Sequence, residues 1–178
     1  MSTANIPKPA KLFMSILYNE SGSKDSEKLL GKLKESYGNI DTISNELHFD
    51  YTNYYSSEMG TDLKRIFITF EKLILRDEII KIKLYINELE KEFDLNNNRN
   101  INIDPGMITP ENVMLSTNKN FSHRLYLGQG IFGEVTLIYR DRKYKTLEWT
   151  FPDYASEKIL ELFLQFRKSY MSQLKTET

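Results

Sequence analysis

The order of apolar patterns between Lys11 and Ile103, strand, helix, strand, strand, helix, strand, admits few folds. Lys11 to Tyr18, KLFMSILY, lies behind Pro7 and Pro9 and is apolar enough for a buried first strand. Leu29, Leu30, Leu33 and Tyr37 then repeat at helical spacing up to a stop at Gly38. Ile40 to Tyr51 alternates loosely as a second strand, and Lys64 to Leu73 puts Ile66, Ile68 and Phe70 on one face of a third. Ile79, Ile82, Ile86, Leu89 and Phe93 mark a second helix over Arg76 to Phe93, and Ile101 and Ile103 a brief fourth strand. This βαββαβ order predicts an α+β chain with a ferredoxin-like antiparallel sheet and two helices on one face.

Beyond Ile103 the punctuation changes. Asp104-Pro105-Gly106 reads as a turn, and Thr109-Pro110-Glu111 as a cap with proline opening a short helix. Ser122 to Leu127 and Glu134 to Arg140 read as a hairpin around GQGIFG, with Lys145 to Trp149 as a further strand. Asp153 is placed to cap a terminal helix lined by Ile159, Leu162, Phe163, Phe166, Tyr170 and Leu174, and Trp149 beside Pro152 to anchor that helix. The C-terminal hairpin and terminal helix are expected to extend the sheet or cover its other face.

A length of 178 residues suits a single domain spanning 1–178, with an ordered core over about 8–174. Twenty-four Lys and Arg against 25 Asp and Glu leave a formal charge of -1, so no overall field draws in nucleic acid or anionic lipid. The absence of cysteine excludes disulfides, thiolate chemistry and Cys-based metal sites. No segment reaches the ~20 apolar residues that span a bilayer, and Lys8, Lys11 and the prolines interrupt any signal-like run. A soluble, cytoplasmic protein is expected.

The chemistry concentrates between Ile101 and Tyr139, where Asp104, His123, Arg124 and Glu134 stand among glycines. His123, Glu134 and Asp104 are the candidate catalytic groups, though no recognisable nucleophile accompanies them. Asp104 and Glu134 are also the candidate metal ligands, since Mg²⁺ takes carboxylates and water, with Asp50, Glu58 and Asp153 as weaker ones. The cofactor is unknown from the sequence. Arg124, Lys64, Arg65 and Tyr54 are the candidate ligand-binding residues. Their relation to Glu134 depends on the hairpin: an even loop puts His123, Leu125 and Leu127 on its face, and a one-residue bulge puts Arg124 and Tyr126 there.

Two motif-like strings fail on context. Gly128 to Val135, GQGIFGEV, has the letters of a kinase glycine-rich loop, but too little chain follows for a catalytic lobe and no HRD or DFG element occurs. Glycines taking positive φ in a hairpin explain it. Thr117-Asn118-Lys119 faintly suggests the NKxD element of GTPases, yet the chain has no phosphate loop.

The phrases KPAKLFMSILY, FDYTNYYSSEMG, LKRIFITFEKL, IKLYINELE, NINIDPGMITPENVMLSTNK, HRLYLGQGIFGEVTLIY and WTFPDY, in this order, resemble the uncharacterised bacterial family called domain of unknown function 4416. The resemblance runs from Lys8 into the terminal helix and implies no activity. If it reflects one shared surface, Asp50, Tyr54, Tyr55, Glu58, Asn87, Glu90, Trp149 and Asp153 join the residues that a common ligand could use. Three functions are therefore set against each other. The first is binding of a phosphorylated or nucleotide-like small molecule; the second is a non-enzymatic protein adaptor using the Tyr-rich 51–59 connection and the hairpin. The third is an RNA-binding module using Tyr139 to Lys145, against which the near-neutral charge argues.

Overall fold

The computed structural model describes residues 3–50, 59–94 and 99–176. Its strands are β1 (Ala10–Tyr18), β2 (Ile40–Ile43), β3 (Leu47–Phe49), β4 (Leu63–Ile74), β5 (Ile101–Ile108), β6 (Asn112–Thr117), β7 (Leu125–Gly128), β8 (Ile131–Arg140) and β9 (Lys143–Thr146). The helices are α1 (Glu20–Lys24), α2 (Ser26–Tyr37), α3 (Glu78–Lys91) and α4 (Glu157–Thr176). One nine-stranded sheet runs β2-β4-β1-β5-β6-β8-β7, with β3 on β4 and β9 on β8. The sheet is thus larger than a four-stranded unit, and all its pairings are antiparallel.

Every residue of β1 is buried, which explains why its sequence is a continuous apolar run and not an alternation. Leu12, Met14 and Ile16 pack with the apolar stripes of α2 and α3, whereas Phe13 packs with Phe67 and the terminal helix. The sheet is therefore covered on both sides. The Phe163 ring of α4 meets Phe13 at 5.0 Å and Phe67 at 5.5 Å, both edge to face. Lys11, buried within β1, forms an ion pair with Asp41, which also accepts from Thr69 Oγ1.

Three local expectations are corrected. Asp104-Pro105-Gly106 is not a turn: β5 continues straight through it, pairing with β1 from Tyr18↔Ile101 to Lys11↔Ile108. Gly106 is there for close approach, since a Cβ at that position would collide with the Phe13 ring and the Met114 carbonyl oxygen. Nor does Thr109 open a helix. Thr109 Oγ1 accepts from the backbone N–H groups of Glu111 (3.2 Å) and Asn112 (3.1 Å), closing the tight β5–β6 turn around Pro110.

Asp153 likewise does not cap α4, which begins at Glu157; its carboxylate is paired with Arg65. The glycine-rich string is a hairpin tip, with φ of 125°, 52° and 78° at Gly128, Gln129 and Gly130. No helix among the described residues is long and apolar enough to cross a membrane.

Replacing Gly106 with alanine should lower stability by about 1–3 kcal/mol through overpacking against Phe13. Urea denaturation measures it, and an unchanged midpoint would show that β5 and the Phe13 ring are not in such close contact.

Candidate functional site

The site begins with an opening in the sheet. β5 and β6 pair only over Gly106↔Leu115, Met107↔Met114 and Ile108↔Val113, so the outer edge of β5 before Gly106 has no strand beside it. Pro105, which has no N–H to offer a neighbour, stands at the point where the ladder ends. Side chains replace the missing strand. Ser116 Oγ donates to Pro105 O (2.8 Å), Lys83 Nζ to Ile103 O (3.3 Å) and Arg99 Nε to Ile101 O (3.3 Å), while Glu90 Oε1 accepts from Ile103 N (2.5 Å). The β5 backbone groups that a continued ladder would have used are thus satisfied without closing the gap.

The gap is a cavity of about 650 Å³. Lys83, Asn87 and Glu90 reach it from α3, at spacings of four and three residues along one helix face. Asn102 and Asp104 line it from β5, and Leu115 to Lys119 from the end of β6. Arg65, Phe49 and the Phe151 to Tyr154 turn form the wall on the side of α4. Arg65 lies over the Phe49 ring at 4.3 Å and pairs with Asp153. Five cations and four carboxylates share this lining, with Arg99 on Glu90 at 2.8 Å and Lys83 at 4.0 Å from Asp104. Burial pushes the Glu90 carboxyl above its usual range, opposed by the positive charges of Lys83 and Arg99.

Glu134 forms the most enclosed part of the site. It is 1% exposed, and its Oε2 accepts from Arg124 Nε at 2.8 Å and from His123 Nε2 at 2.9 Å. The bulged register is the one observed, with a shift between Tyr126 and Gly128 that carries Arg124 opposite Glu134. His123 reaches the same oxygen because residues 121–124 form a turn before β7, closed by Arg124 N donating to Phe121 O. Trp149 stacks on the His123 ring, 5.0 Å between centroids and 10° from parallel, and its indole N–H donates to Val135 O. The tryptophan therefore anchors the histidine to β8, not the terminal helix, and remains partly exposed.

Of the expected site residues, Arg124, Arg65, Asp104 and Glu134 line the cavity, and His123 stands behind Glu134. Lys64 does not join them, because neighbouring positions on a strand face opposite ways: it pairs with Glu46 at 3.1 Å on the surface. Asp50 is exposed, and Tyr54, Tyr55 and Glu58 lie outside the described residues. Among the described residues no three His, Asp or Glu side chains converge as a metal site. The Tyr139 to Lys145 tip does not present its aromatics, since Tyr144 is buried and Arg167 covers Tyr139 at 3.4 Å. Lys83 was not singled out from the sequence; its signal is the polar 83, 87, 90 stripe beside the apolar face of α3.

A family description, Domain of unknown function (DUF4416), matches residues 8–170. The chain belongs to this family. No curated protein and no solved structure matches it. The DUF4416 match includes the whole cavity lining, from Phe49 to Tyr154.

The raised carboxyl of Glu90 links this site to pH. Its folded pKa lies above the unfolded value, so its contribution to stability is present below the unfolded pKa and is lost as pH rises through the folded one. Relative to Glu90→Gln, the native chain should therefore lose thermal stability from the ordinary carboxylate range upward. Parallel melting curves for the two proteins would contradict the linkage.

Proposed function

We propose that this protein binds a small phosphorylated or nucleotide-like molecule in the cavity between β5 and β6. The observation that carries the reading is the lining itself. Arg65, Lys83, Arg99, Lys119 and Arg124 line a ligand-sized space that Phe49, Phe151 and Tyr154 also border. Cavities of this size, with aromatic walls and a few fixed polar groups, are how proteins hold small ligands. Guanidinium groups suit phosphate because their planar donors match its oxygens. Asp153, Asp104, Glu90 and Glu134 hold Arg65, Lys83, Arg99 and Arg124 in place and can share their donors with an anion.

The strand order β2-β4-β1-β5, with α2 and α3 as its crossovers, supports a ferredoxin-like reading of the first half, to which β6–β9 add the second wall. A protein-contact reading draws on a different surface, where Phe121, Leu125 and Tyr126 are exposed around the edge strand β7.

Native mass spectrometry and a thermal-shift panel of nucleotides, sugar phosphates and divalent metals test the proposal. A ligand at about 100 times its Kd adds about 2.7 kcal/mol of stability, a shift of several degrees. Arg124→Ala should weaken a phosphorylated ligand by roughly 10- to 100-fold, the worth of a charge-assisted hydrogen bond. Silence across the panel from a folded protein would favour the protein-contact surface.

A further inference from the structure

We infer that the ligand of this cavity carries an N–H or O–H donor, most simply an amine, close to its anionic group, and that Glu134 Oε1 receives it. The inference rests on the phosphorylated-ligand reading and adds its second point of recognition. Glu134 is buried and lines the cavity, yet its two oxygens differ. Oε2 already takes donors from Arg124 and His123, whereas Oε1 has no hydrogen-bond partner among the described residues. Buried carboxylate oxygens in native proteins are almost always paired, so an unpaired one on a cavity-lining residue marks where a donor belongs.

The carboxylate cannot turn to find a partner elsewhere. Arg124 is itself fixed by donating from Nη1 to Lys119 O at 3.0 Å, and His123 is held against the Trp149 ring, which is tied to β8. Arg124 and Glu134 thus present a positive and a negative group in contact. A molecule complementary to that pair has an anion and a donor near one another, as a phosphorylated amino alcohol or an amino sugar phosphorylated at the neighbouring carbon does. A simple phosphate ester lacking a donor would leave Oε1 unpaired and be discriminated against.

Probe pairs that differ only in the donor test this: 2-aminoethyl phosphate with ethyl phosphate, and 2-hydroxyethyl phosphate with ethyl phosphate. Inorganic pyrophosphate serves as the donor-free anion. By calorimetry on the native chain, the donor-bearing member of at least one pair should bind about tenfold more tightly than its partner. Glu134→Gln gives a second readout. A guanidinium only donates, so the amide oxygen stays on Arg124 and the amide NH₂ faces the cavity, exchanging an acceptor for a donor. The preference should then vanish or reverse. If that variant does not fold, the native comparison still decides. Pyrophosphate binding with both pairs bound equally, or not at all, overturns the donor inference and leaves the phosphate reading standing; no binding by any phosphorylated probe removes both.

Discussion

The end of the β5–β6 ladder at Pro105 is the constraint on which the site depends. A fully paired sheet would pass straight through the space that Lys83, Glu90 and Arg99 now reach across. Unpaired backbone at the centre of a sheet is strongly unfavourable, so such an opening persists only if every exposed N–H and C=O finds another partner. Here the substitutes are charged side chains from α3 and the segment before β5. They satisfy the edge and, in the same act, bring ionisable groups into the middle of the molecule. The polar character of the cavity is thus a consequence of how the backbone is satisfied.

Charge balance follows the same logic. A cation that is buried alone is unfavourable by several kcal/mol, and each deeply placed one here has a carboxylate close by: Arg65 with Asp153, Arg124 with Glu134, and Lys83 near Asp104. Arg65–Asp153 and Lys83–Asp104 join separate parts of the chain, so the site is assembled only when β4, α3, β5 and the turn before α4 are all in place. Folding and site formation are one event.

A continuous apolar run was sufficient for β1, and periodicity for α2, β4, α3 and α4, because each of these buries a face whose spacing is intrinsic to the element. It failed where the deciding contact is distant. Pro105 and Gly106 look like a turn locally, yet they occupy a strand because a neighbour ends at one and an aromatic ring from β1 crowds the other. Arg124 and Glu134 were recognised as chemically notable, but their alignment needed the bulge at the β7–β8 hairpin, which no composition encodes. Asp153 shows the same limit: its position before a helix suggested capping, and only the tertiary fold supplies Arg65 as its partner.

The chain contains one tryptophan, and it lies against the imidazole that holds Glu134. Its emission therefore comes from a single place, two contacts removed from the cavity. Imidazole quenches indole fluorescence more strongly when protonated and stacked, so any change in the charge or tilt of His123 alters the light from the whole molecule. The arrangement that immobilises the carboxylate also gives the protein an internal optical probe, needing no label.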